Sequence, residues 1–206
     1  CVTSSHFASA EKEFRFPLDY GSQRPLSASW TVTGSGAFAL GLNQKCRANI
    51  TGMTPGRIVD YGLKDSMNMG ACMAPAAADT VARHMEDFHV TPEEYDRIIT
   101  GDLGSVGQTV LIDLLREKGI DIADRHMDCG IEIFDAEAQD THAGGSGCGC
   151  SAVTLAAYIL PKLESGEWKK VLFLPTGALL SKTSFNEGKS VPGIAHAVVL
   201  ESPAVK

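Results

Sequence analysis

The side chains best suited to chemistry gather in one stretch, Asp140 to Ser151 (DTHAGGSGCGCS), which joins a strand signal to a helix signal. Glycines at 144, 145, 147 and 149 let the backbone approach a ligand closely. The helix that follows aims free N–H groups and a partial positive charge at the same place. An anion, or an oxygen gathering negative charge, is favoured there. Thr141, His142, Gly145, Ser146 and Gly147 are therefore candidate ligand contacts, with His142 at the strand end where α/β ligands gather. The plainer alternative is a helix that packs tightly on a neighbour through small residues. The string is not a Walker A loop, since no Gly-Lys-Ser/Thr follows, nor the G-x-G-x-x-G dinucleotide fingerprint.

A second glycine loop, Gly101 to Gly107 (GDLGSVG), has the same strand–loop–helix position. Asp102 stands there either as a functional acid at a strand's carboxyl end or as the N-cap of the next helix. The third such loop is Thr176 to Ser181, after the apolar run VLFLP, with Ser184, Asn186 and Lys189 in a polar excursion beyond it. Other histidines carry less. His84 and His89 read as solvated or capping groups at a helix end, His196 as a satisfied core residue, and His6 as a weak candidate for a cleft. Met67 to Met73 reads as adaptable core. The six cysteines do not form a disulfide framework, and His142 with Cys148 and Cys150 lacks the second half of any zinc pattern. No metal and no cofactor is expected. Cys148 and Cys150 lie near a helix start, which lowers a thiol pKa, yet neither has a spaced partner.

The elements that must position these loops alternate in kind. Strand signals cover Trp30–Leu42, interrupted by glycine, then Cys46–Gly62, Arg97–Gly101, Gly130–Phe134 (GIEIF), Val171–Pro175 and Ala195–Glu201. Helix signals cover Met73–Phe88, Val106–Lys118 and Cys150–Leu163, and Thr91-Pro92-Glu93-Glu94 has the cap, proline and acids of a helix start. Strands separated by helices of this length imply βαβ crossovers, so the fold class is α/β with mostly parallel pairing. Residues 7–28 break this rhythm as a long irregular connection.

With 206 residues, 44% hydrophobic and 21% charged, the chain can bury a real core. A net charge of −7 and a pI near 5.3 argue against nucleic acid or anionic lipid as the default partner. No apolar run is long enough to span a membrane. The first residue, Cys1, reads as a truncation point in preference to an N-terminal nucleophile or a lipid-modified cysteine.

Taken in order, DTHAGGSGCGCSA, LFLPTGALLS and GKSVPGIAHAVVLE resemble the stage V sporulation protein AD family of spore-forming bacteria. So do the earlier TSSHFASAEKEFRFPLDYGSQRP, TPGRIVDYGLKDSMNMGACMAPAAADT and YDRIITGDLGSVG, so the resemblance covers essentially the whole chain. It implies a thiolase-like fold, in which a mostly parallel mixed sheet is layered with helices in two similar halves. Residues 1–45 would be the remnant of a truncated first half with its long loop, and residues 46–206 a complete second half.

Condensing enzymes of the thiolase-like kind hold a nucleophilic cysteine in the first half and two histidines, or a histidine and an asparagine, in the second. By the resemblance His142 is the later of these, and Asp102 stands where the earlier histidine belongs. A carboxylate cannot donate to a thioester oxygen as a neutral imidazole does. The resemblance implies instead a role in binding dipicolinic acid for its uptake into the developing spore, read as a non-enzymatic reuse of the thiolase-like cleft. Asp102, Thr141, His142, Gly145, Ser146 and Gly147 are its expected contacts. Membrane proteins of the same operon are the implied partners, with the forespore and inner spore membrane as the location and a homodimer left open. The rival is an acyltransferase or β-ketoacyl synthase-like enzyme using a cysteine of the missing half.

Overall fold

The computed structural model describes residues 1–6, 25–42 and 45–203, so most of the irregular connection expected over 7–28 lies outside the described residues. Three short strands come first: β1 (Val2–Ser5), β2 (Trp30–Thr31) and β3 (Gly34–Ala37). They are followed by β4 (Asn49–Thr54), the long helix α1 (Met69–Phe88), β5 (Arg97–Thr100), α2 (Gly104–Arg116) and β6 (His126–Asp128). Two single turns, α3 (Cys129–Glu132) and α4 (Ala136–Gln139), lead to β7 (Gly145–Ser146). Helix α5 (Cys150–Thr154) continues through a π-helical stretch (Leu155–Ile159) into α6 (Leu160–Glu164). The chain closes with β8 (Lys170–Leu174), β9 (Thr176–Ala178), α7 (Lys182–Asn186), β10 (Gly193–Ala195) and β11 (Ala197–Glu201).

The central sheet has the order β4-β11-β8-β5-β6. Strand β5 runs parallel to β6 and β8, while β11 is antiparallel to β8 and β4, so the sheet is mixed and the fold is α/β. Its middle strands are apolar on both faces because both faces are covered. Side chains alternate between those faces with the period of a strand. Ile98, Leu172 and Leu174 meet Val81, Leu111 and Leu115 of α1 and α2. Ile99, Val171 and Phe173 meet Cys150, Ile159, Leu163 and Trp168 on the other side. Helices α1 and α2 touch backbone to backbone: a Cβ added at Gly107 would lie 2.9 Å from the Cα of Gly70.

The described residues 1–6 and 25–42 do not stand apart. β1 pairs antiparallel with β3, β2 pairs parallel with β7, and Gly34 and Gly36 lie against Val153 and Ala152 of α5. The boundary expected near residue 45 falls beside residues 43 and 44, which are outside the described residues.

Four expectations are corrected. Gly130–Phe134 is not a strand: the strand ends at Asp128, whose carboxylate accepts from the N–H groups of Gly130 and Ile131 and so starts a helical turn. The Thr91–Glu94 start does not propagate beyond one 3-10 turn (Pro92–Glu94), because Tyr95 is drawn extended into the core. His84 is fully buried, with Nδ1 2.8 Å from the Thr54 hydroxyl and Nε2 2.6 Å from the Tyr95 hydroxyl. Burial, and then Lys170, hold its pKa below the usual histidine range. His196 is exposed between β10 and β11, where its Nδ1 accepts from the Gly56 N–H at 2.9 Å.

Candidate functional site

Strands β5 and β8 run parallel and end side by side, which brings the loops after them together with the glycine stretch. Asp102 joins all three. Its Oδ2 accepts from the Ser146 hydroxyl at 2.7 Å and from the Gly147 N–H at 3.1 Å. Its Oδ1 accepts from the Thr176 hydroxyl at 3.0 Å, and that hydroxyl in turn accepts from the Asp102 N–H at 3.1 Å. Asp102 is therefore a clamp across loops, not the N-cap of α2.

Capping falls to Asp128, buried at the end of the neighbouring strand. Its Oδ2 accepts from the Thr100 hydroxyl and the Leu103 N–H, and its Oδ1 from the N–H groups of Gly104, Gly130 and Ile131. One carboxylate thus satisfies the starts of both α2 and α3. Burial pushes its pKa up, and these bonds oppose the push. Thr100 also lies 2.9 Å from Nε2 of His126, whose Nδ1 is 2.8 Å from the Gln108 amide nitrogen. Burial pushes the His126 pKa down to about 4, which keeps the ring neutral at ordinary pH.

The glycines of the 140–151 loop admit protein as well as any ligand. Gly144, at φ 118°, has no room for a Cβ against Gly130. At Gly145 the added atom would sit 2.8 Å from both Val32 Cγ2 and Ile133 Cγ2. At Gly147, φ 128°, it would sit 2.9 Å from the Ser5 hydroxyl. That hydroxyl donates to the Val32 carbonyl at 2.6 Å and accepts from the Gly149 N–H at 2.9 Å. Tight packing therefore accounts for Gly144, Gly145 and Gly149, while Ser146 and Gly147 turn toward Asp102.

The remaining candidates stand at the entrance of the loop. His142 is half-buried in the left-handed region, φ 53°, with Nδ1 3.0 Å from the Pro25 carbonyl and Nε2 3.4 Å from an Asp140 carboxylate oxygen. Thr141 is 1% exposed, and its hydroxyl has no hydrogen-bond partner among the described residues. The structure thus brings Asp102, Ser146 and Gly147 together, sets Gly145 against the apolar face, and leaves Thr141 and His142 at the loop's start. Sequence reading missed three contributors. Thr176 was within reach, since it opens the third strand-end loop. Nothing local marks Ser5, which meets Gly149 across 144 residues, or Asp128, whose donors come from Leu103 and Gly104 on another element.

Of the six cysteines, Cys1, Cys46 and Cys148 are exposed and Cys72, Cys129 and Cys150 are buried. Burial, then Asp65 and Asp60, raises the Cys72 pKa to about 11, and burial with Asp128 carries Cys129 well above its ordinary value. Cys150 is buried with its sulfur 3.9 Å from the Gly101 carbonyl. No three His, Cys, Asp or Glu side chains come together as a metal site among the described residues. A cleft of about 400 Å³ lies at the other end of the sheet, lined by Glu93, Arg97, Asp121, Asp124 and Arg125. It opens where β5 begins, whereas Asp102 follows the end of that strand.

A family model for stage V sporulation protein AD matches residues 1–201. The stage V sporulation protein AD of Bacillus subtilis (strain 168) is 45% identical over 200 residues, which cover 97% of this chain and 59% of that protein. The chain therefore spans about three fifths of the length of that relative. Among solved structures, the tetronic acid condensing enzyme AbyA1 is 14% identical with a TM-score of 0.46, over 79% of this chain and 50% of that one. The 3-oxoacyl-[acyl-carrier-protein] synthase III of Aquifex aeolicus VF5 is 14% identical with a TM-score of 0.40, over 77% and 46%.

Proposed function

The chain belongs to the stage V sporulation protein AD family, and on that premise we propose that it contributes a dipicolinic acid site, a thiolase-like cleft reused for binding without catalysis. The observation that carries this reading is the state of Asp102. Its carboxylate already takes the donors of Ser146, Gly147 and Thr176. An acyl-condensing site needs a neutral donor aimed at a developing oxyanion, and an anion in that position opposes such charge.

Dipicolinate is a planar pyridine flanked by two carboxylates, so it needs donors and a shaped slot. Asp102 serves such a ligand by holding the glycine loop in place, since like charges do not meet directly. The Thr141 hydroxyl, at the loop's entrance, donates to a carboxylate, and His142, whose Nδ1 donates to the Pro25 carbonyl, joins it through Nε2 only as an imidazolium. Uptake into the developing spore, with membrane proteins of the same operon as partners at the inner spore membrane, belongs to the same proposal. Among the described residues no helix is long and apolar enough to cross a membrane.

Calorimetric titration of the full-length protein with dipicolinate tests the reading. Saturable heat is expected, with affinity reduced roughly tenfold or more in His142→Ala, the size of one hydrogen bond to a charged group. Absence of heat, or undiminished affinity in His142→Ala, overturns it. Covalent labelling by a thioester substrate, read by mass spectrometry, would favour the acyltransferase instead.

A further inference from the structure

The two-residue ladder between β2 and β7 has two unlike faces. It is parallel, with Trp30 opposite Gly145 and Thr31 opposite Ser146, and residues paired in register project to the same side. One face is apolar: Val32 and Ile133 crowd Gly145, and Val32 belongs to the core shared with Ile99 and Phe173. On the other face the Ser146 hydroxyl reaches Asp102 at 2.7 Å, so the Thr31 side chain looks toward the same site.

Thr31 is 6% exposed, and its hydroxyl has no hydrogen-bond partner among the described residues. A buried unpaired hydroxyl is costly, and valine has the same branched shape without that cost. Thr141, at the start of the same loop, carries a second buried hydroxyl in the same condition. Buried polar groups are almost always paired, so an orphaned hydroxyl in register with Ser146 calls for a partner that comes and goes.

We infer that Thr31 is a ligand contact of this site, its hydroxyl held for an acceptor atom of the bound molecule. The inference rests on the binding reading above and deepens it. A hydroxyl facing a bound dicarboxylate donates, so the chemical class that fits is a small planar molecule rich in acceptors, such as a pyridine carboxylate. Asp102 positions Ser146 beside it and makes no contact of its own with the ligand.

The test compares wild type, Thr31→Val, Thr31→Ser and His142→Ala in the full-length protein, by thermal unfolding without ligand and by calorimetry with dipicolinate. Thr31→Val is expected to raise the unfolding midpoint by about 2 °C, because it removes an unsatisfied hydroxyl, and to weaken binding about tenfold. Thr31→Ser, which keeps the hydroxyl, is expected to bind within about twofold of wild type. An unchanged or lowered midpoint in Thr31→Val means that the hydroxyl has a partner within the protein, and overturns the inference. So does wild-type affinity in Thr31→Val alongside weakened His142→Ala, an outcome that leaves the binding reading standing. Equal loss in the Val and Ser variants assigns the effect to shape and also overturns it. No heat with wild type removes both the reading and the inference.

Discussion

Asp102 shows how much one side chain can hold. Its two oxygens accept from Ser146, Gly147 and Thr176, which belong to two different loops, and both loops lose their common anchor if it is removed. Asp102→Ala is therefore expected to cost about 1–3 kcal/mol in denaturant unfolding, with Asp102→Asn in between, since the amide still offers one acceptor oxygen. Stability equal to wild type in Asp102→Ala would show that the clamp is dispensable. The location of this residue was legible in GDLGSVG, because an acid after a buried strand has few other places to be. Its role was not. Capping and clamping look alike in sequence, and the choice fell to Asp128, a residue with no local signature. His84 taught the same lesson from the other side. At a helix end it looks solvated, but Thr54 and Tyr95 arrive from elsewhere and enclose it.

At the scale of elements, the strands and long helices were legible because their apolar periods are strong. The α2 and α5–α6 helices and strands β5, β8 and β11 lie close to where the pattern placed them. GIEIF failed since a period of two over five residues is weak evidence beside a buried carboxylate that captures the next N–H groups. The α1–α2 contact predicts a sharp size limit. Gly107→Ala drives a methyl into the Gly70 backbone and is expected to destabilise by about 1–3 kcal/mol, read from the chemical denaturation midpoint. A neutral outcome would mean that the two helices can slide apart freely. His126 adds a pH dependence with a definite sign. Its folded pKa, about 4, lies below the unfolded value near 6.5, so the unfolded chain binds the proton more readily. The stabilisation is complete above about pH 6.5 and is lost as pH falls toward 4, by roughly 3 kcal/mol in all. Unfolding free energies measured between pH 7 and 4.5 should fall accordingly, and His126→Gln should flatten the slope. An equally steep slope in that variant would assign the effect to other groups, with His84 next in line because its pKa is also lowered.

For the whole molecule, charge and stability decline in the same direction. The chain carries −7 at neutral pH with a pI near 5.3, so self-repulsion vanishes within the range where His126 begins to weaken the fold. Light scattering of this chain across pH 4.5–8 is expected to peak near pH 5. A flat profile would show that neither term governs its association. Net charge and the apolar content of the sheet were readable from composition, but the joining of β1 and β2 to the glycine loop was not, because it depends on contacts between distant parts of the chain. That joining also sets a clock for biosynthesis. Ser5 leaves the ribosome 144 residues ahead of the Gly149 N–H that it will accept from. At usual elongation rates this delay is on the order of ten seconds. Throughout it the β1–β3 pair waits for the α5 residues Ala152 and Val153 that lie against Gly36 and Gly34.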